Sequence, residues 1–148
     1  MHAARAPSGY SGKPLAAKLG LKDGTVAAFV RLPAALEPLA SLVRFAAVDR
    51  PEDWSGLAGA VRRYDCIHAF TRKHSEIERH LADLQAAIVP DGMIWVSWPK
   101  KASKVATDVT EDAIRTEALK LDLVDVKVAA VDETRSGLKL VIRKERRR

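Results

Sequence analysis

The rhythm of apolar and polar positions changes along the chain, and each rhythm predicts an element. "TVAAFV" (25–30), "VRFAAV" (43–48), "YDCIHAF" (64–70) and "MIWVSW" (93–98) are short, nearly continuous apolar runs. Runs of that length read as strands covered on both faces, as in a parallel sheet. "SEIERHLADLQAAI" instead repeats every three to four residues, with Ile77, Leu81, Leu84 and Ile88 on one helix face. Its Ser75 and Glu78 form the S-x-x-E pattern that satisfies free backbone donors at a helix start. "TEDAIRTEALKL" (110–121) predicts a further helix, capped by Thr110, with Glu111 and Asp112 at the positive end of its dipole. "KPLAAKLG" predicts a short helix with Pro14 in its first turn and Gly20 as its stop. "PEDWSGLAGAVRR" (51–63) predicts a helix with a stripe of Trp54, Leu57, Ala58 and Val61. Pro33 and Pro38 allow only short helical turns in "RLPAALEPLASL".

Near the end the period falls to two. Val124, Val126 and Val128 alternate with Asp125 and Lys127, and Leu138, Leu140 and Ile142 alternate with Lys139 and Arg143. Two such runs joined by "DETRSG" predict a hairpin with one face wetter than the other. Strand–helix units followed by a terminal hairpin predict an α/β fold. The expectation is a single-domain, Rossmann-like three-layer sandwich with a mostly parallel sheet and an antiparallel C-terminal edge hairpin. One domain spans 1–148, with a turn-rich arm at 1–12 and a basic tail at 143–148.

Composition narrows the function classes. A chain of 148 residues with 47% apolar content can bury a proper core. No apolar run approaches the roughly 20 residues a membrane helix needs, and "MHAARAPSGYSG" lacks the apolar stretch of a secretory signal. The single cysteine, Cys66, excludes an internal disulfide and cysteine-rich metal sites, so a reducing cytoplasm is expected. The net charge of +6 hints at nucleic acid, but the six tail residues "RKERRR" carry four of those charges. A nucleic-acid or acidic partner is therefore expected only through the tail.

"YDCIHAF", "SEIERHLADLQAAIVPDGMIWVS" and the terminal hairpin, together about residues 64–142, resemble the second half of the S-adenosylmethionine-dependent methyltransferase fold. The resemblance implies that they are its fourth strand, the following helix and fifth strand, and its last two strands. "GYSGKPLAAKLG", "WVSWPKKAS", "VATD", "TED", "VDVKVAAVDE" and "SGLK" resemble a bacterial family catalogued as a domain of unknown function. In that family glycine tends to follow the serine of "KKAS" and an aromatic tends to precede "SGLK"; here Lys104 and Arg135 stand there.

Cofactor seating in doubly wound sheets depends on glycine in the turn after the first strand, where backbone approaches ligand. The glycines lie at 9, 12, 20, 24, 56, 59, 92 and 137, none between Thr25 and Ser55. The turn reads "RLPAALEP", so no cofactor is expected, and neither S-adenosylmethionine nor NAD in the usual mode. Asp49 stands where an acid could hold a ribose hydroxyl, but without the glycines it reads as an ordinary acid at a strand end. Cys66 and His68 share a strand face as core residues, about 6–7 Å apart, too far for a thiolate–imidazole pair. His74 and His80, six apart, do not share a helix face, so no metal is expected; Glu76 and His80 read as an exposed surface pair.

The densest stretch is "MIWVSWPKKASKVATD" (93–108). Ligands of open α/β sheets gather at the carboxyl ends of strands. Strand alternation puts Trp95 and Ser97 on one side and Val96 and Trp98 on the other, so one indole is core and the other walls a mouth. The ligand-binding candidates are Trp98, Lys100, Lys101, Ser103, Thr107 and Asp108, with the two lysines receiving an anion at the rim. The expected function is a non-catalytic module binding a small anionic ligand or a protein partner at the "WPKKAS" loop. The alternatives are a divergent methyltransferase-like enzyme and a binder acting through the basic tail.

Overall fold

A computed structural model describes residues 14–147. The arm, all of "GYSGK" and Arg148 of the tail lie outside the described residues. Strands β1 (Val26–Val30), β2 (Ala47–Asp49), β3 (Tyr64–Phe70), β4 (Ile88–Pro99), β5 (Leu123–Ala130) and β6 (Arg135–Ile142) form one sheet in the order β2-β1-β3-β4-β6-β5. The four strands β1 to β4 are parallel, and β6 runs antiparallel to both β4 and β5. This is the expected Rossmann-like α/β architecture with an antiparallel C-terminal edge.

Helices α1 (Leu15–Lys18), α2 (His74–Ala87) and α3 (Glu111–Leu119) cover the two faces. On one face Ile77, Leu81 and Leu84 of α2 and Ile114 and Ala118 of α3 pack against Ile67, Ile94 and Val96. On the other, Leu19 and the 3₁₀ turn Ala34–Ser41, through Leu36 and Leu39, cover Phe29, Cys66 and Trp95. Trp95 is fully buried, and its indole N–H donates to the Leu19 carbonyl at 2.9 Å. Helix α1 ends as expected: Gly20 takes φ +74, and the amides of Gly20 and Leu21 bond back to Ala17 and Ala16.

Several local expectations change. The segment 51–63 forms only the 3₁₀ turn Trp54–Leu57, because Gly59 at φ +88 and Arg62 at φ 46 break any helix, leaving Val61 exposed. Strand β2 starts four residues late, since Arg44 is held in a loop by the Asp23 carboxylate. The Ser75–Glu78 box does not form: α2 starts at His74, whose amide is capped by Asp108. Thr110 caps α3 through Ala113 as expected. The "VPDG" segment is an irregularity inside β4 rather than its upstream turn: Tyr64 pairs with Ile88 and Cys66 with Met93, so a step of two residues on β3 is matched by a step of five on β4.

In β5 the register shifts between Asp125 and Lys127, so Val126 and Val128 face solvent while Leu123 and Ala129 are buried. A bulge of this kind turns the apolar side of an edge strand outward. The basic tail also folds back, with Arg143 and Arg146 near the Asp122 carboxylate and the Arg147 side chain donating to the Ile142 carbonyl.

The sheet centre is tight where β6 passes β4. A Cβ added at Gly137 would lie 3.0 Å from Ser97 Oγ, 3.1 Å from the Trp95 ring and 3.2 Å from Val131. Gly137→Ala should therefore cost about 1–3 kcal/mol through overpacking, read as a lower urea midpoint; an unchanged midpoint would refute the contact.

Candidate functional site

The carboxyl ends of β1, β3 and β4 open on a cavity of about 530 Å³. Phe70 ends β3 and Trp98 nearly ends β4, and both line it with Leu32, Pro33, Pro99 and Val105. Trp98, 8% exposed, belongs to the core of the α2–α3 face and also lines the cavity, while Trp95 is core on the opposite face. Four cations, Arg31, Arg72, Lys73 and Arg135, also line the cavity, against the single acid Glu76. Arg135 is partly neutralised by Asp132 at 2.8 Å.

The turn after β1 is occupied by an arginine where a glycine conformation is used. Arg31 has φ 55, and its amide donates to the Pro51 carbonyl at 2.9 Å. Its guanidinium forks onto Glu76, Nη1 to Oε1 and Nη2 to Oε2, both at 2.5 Å. The Thr71 hydroxyl donates to the same Oε1, also at 2.5 Å. Burial works against the Glu76 carboxylate, yet hydrogen bonds from Arg31 and Thr71 outweigh it and hold the group below the usual carboxylate range. Arg31 and Leu32 also line a second cleft, with Arg50, Pro51 and Glu52. Glu76 is thus not an exposed partner of His80; His80 lies 3.6 Å from Asp83 instead.

Asp49 is committed elsewhere. Its Oδ2 accepts the Tyr64 hydroxyl at 2.5 Å and lies 3.1 Å from the Arg63 guanidinium. Burial, then the hydrogen bond to Asp49, push the Tyr64 phenol up to about 12.

Of the residues singled out in "WPKKASKVATD", Trp98 lines the cavity and the others build the loop beside it. The Lys100 amide donates to Thr134, and the Lys100 carbonyl accepts Ser103 Oγ at 2.6 Å. The charge of Lys100 is felt by Lys18, whose pKa is lowered by burial first, then by Lys100 and Lys127. Lys101 is exposed in the 3₁₀ turn Lys101–Ser103. Thr107 Oγ1 donates to the Arg72 carbonyl at 2.9 Å, and Asp108 caps α2. Arg31, Thr71, Arg72 and Lys73 are not among the expected site residues, while Glu76 is expected only as a surface partner of His80 and Arg135 only as a departure from the family pattern. "TRK" (71–73) offered a signal, since these residues follow the carboxyl end of a strand just as Lys100 and Lys101 do.

Behind the mouth, His68 and Ser97 are each 1% exposed, with Nε2 2.6 Å from Oγ. The imidazole stacks on Phe70 at 4.3 Å, and burial pushes it down to about 3. Cys66, two residues earlier on β3, is buried with its thiol pushed up to about 12 by burial, and the partner of the imidazole is Ser97. His74 meets Glu117 at 3.2 Å rather than His80, and Lys120 already sits 3.1 Å from the same Glu117 oxygen.

No family model and no curated protein matches the chain. Solved structures do. A methyltransferase dependent on S-adenosylmethionine from Aquifex aeolicus superposes with a TM-score of 0.62 at 13% identity, over 86% of this chain and 87% of that one. The fold is that of S-adenosylmethionine-dependent methyltransferases. Magnesium protoporphyrin IX methyltransferase from Synechocystis, solved with bound S-adenosylmethionine, shares this fold at a TM-score of 0.59 and 16% identity, over 86% and 74% of the two chains. The 1,6-didemethyltoxoflavin-N1-methyltransferase of Burkholderia thailandensis does so at 0.55 and 18%, over 86% and 74%.

The buried imidazole gives the methyltransferase fold of this chain a specific acid sensitivity. The unfolded chain takes up a proton on His68 near 6.5, whereas the folded chain refuses it until about 3. Stability contributed by the neutral ring is therefore complete above the higher value and is lost as pH falls through that window. Urea unfolding at about pH 7 and about pH 5 should show wild type losing about 2 kcal/mol more than His68→Gln. Equal losses would place the ring in a wetter setting.

Proposed function

We propose that this chain is a ligand-binding module built on the methyltransferase fold, taking a small anion with an apolar body at the carboxyl ends of β3 and β4. It does so without S-adenosylmethionine in the usual mode. The observation that carries this reading is the Arg31–Glu76 pair across the turn after β1, beside a neighbouring cavity that stays open and cationic. Ligand cavities run from roughly 300 to 1,000 Å³, with apolar walls and a few placed polar groups, and this one fits. Phe70 and Trp98 offer the apolar walls, and Arg72 and Lys73 the charge. Lys100 and Lys101 serve as outer contacts that draw anions to the rim.

The kinship carried by "WVSWPKKAS" is supported by Lys104, whose φ of 62 occupies a left-handed position where that family favours glycine. A second reading, a methyltransferase-like enzyme, is favoured by the shared fold of the Synechocystis enzyme solved with bound S-adenosylmethionine.

Calorimetric titration separates the two. Naphthoate and naphthyl phosphate should bind and quench tryptophan emission, whereas S-adenosylmethionine should give no heat. Arg72→Ala with Lys73→Ala should weaken the anions about tenfold, and Lys100→Ala with Lys101→Ala should change affinity by less than about threefold. Binding of S-adenosylmethionine in competition with naphthoate would replace this reading with the enzyme.

A further inference from the structure

The Glu76 carboxylate is held by donors whose backbones are anchored apart from it. Two guanidinium N–H groups of Arg31 and the Thr71 hydroxyl converge on it, each at 2.5 Å. A planar fork meeting two oxygens is the geometry by which arginine recognises carboxylates and phosphates in general. The donors are anchored through their own backbones: Arg31 N–H to Pro51 at 2.9 Å, and Thr71 N–H to Ser97 at 3.0 Å. Thr71 is 4% exposed, and its hydroxyl also accepts the Lys73 amide at 3.0 Å. Arg31 keeps φ 55, a conformation uncommon for a residue with a side chain, and such outliers concentrate at working sites. The acceptor, by contrast, sits at the end of a glutamate side chain in the first turn of α2. All three residues line the cavity of about 530 Å³.

We propose that Glu76 is an internal stand-in for the ligand, whose own carboxylate or phosphate takes its place on the Arg31 guanidinium and the Thr71 hydroxyl. This rests on the anion-binding reading above and names the group that receives the anion. Exchange of one oxyanion for another conserves the donors' hydrogen bonds, so affinity comes from the apolar body on Phe70 and Trp98 and from the charges of Arg72 and Lys73. Glu76 swings toward solvent as the ligand enters. The pair thereby sets specificity: a neutral ligand cannot dislodge a forked, charge-assisted carboxylate.

The test is a calorimetric titration of the full chain and its variants with naphthoate, naphthyl phosphate and neutral naphthamide. Glu76→Gln keeps the size of the side chain but gives up the charged fork. It should bind one or both oxyanions about tenfold tighter than wild type, with no gain for the amide. Which oxyanion gains more tells a carboxylate ligand from a phosphate one. Adding Arg31→Gly, a residue suited to the positive φ, should abolish the gain while melting shows the fold intact. No gain in Glu76→Gln, or a gain that survives Arg31→Gly, would overturn the stand-in. If wild type binds oxyanions in an Arg72-dependent way without that gain, this inference alone fails. If no variant binds any oxyanion, the proposed function fails with it.

Discussion

A forked ion pair spans the mouth of the sheet and fixes the geometry of its rim. Arg31 leaves β1 in a left-handed turn and reaches Glu76 in the first turn of α2, tying the end of one strand to the helix that follows another. The pair is partly solvated, with the Arg31 side chain 41% exposed, so its weight lies in geometry more than in stability. It determines which parts of the crevice stay open. The carboxyl ends of β3 and β4 open on a cationic cavity, while Arg31 and Leu32 stand between that cavity and the cleft beside Arg50.

The shared fold supplies the frame, and the side chains at its rim set the local chemistry. Parallel β1, β3 and β4 bring their carboxyl ends to one rim, as any sheet of this topology does. What the rim offers here is the chemistry of its own side chains: an indole wall, a fork of N–H donors, a buried hydroxyl and free cations. Ser97 lines the cavity, and its hydroxyl lies 2.6 Å from Nε2 of the buried His68 behind it.

Much of the fold was legible because its signals are local. "YDCIHAF" reads as a covered strand and is β3 over the same seven residues. The stripe Ile77, Leu81 and Leu84 reads as one helix face and packs as one. Failures came where nearby backbone overruled pattern. Trp54, Leu57 and Val61 have helical spacing, but Gly59 and Arg62 adopt positive φ and Val61 ends exposed. Val126 and Val128 alternate as a core face would, but a bulge turns them outward at the sheet edge. Ser75 and Glu78 spell a cap, but Asp108, thirty-four positions from His74, does the capping.

The site divides along the same line. Alternation by itself determined that Trp95 and Trp98 part to opposite faces, and the missing glycines determined that the turn after β1 is built from bulk. A strand's period of two and the steric demand of a side chain act within a few residues, so no partner need be known. Only the tertiary structure decided that Arg31 meets Glu76 forty-five positions away and that Thr71 joins them. It also decided that Arg72 and Lys73, rather than Lys100 and Lys101, line the cavity. Those outcomes depend on which strand ends the sheet order places side by side, and pairing between distant segments leaves no mark on the spacing within either one.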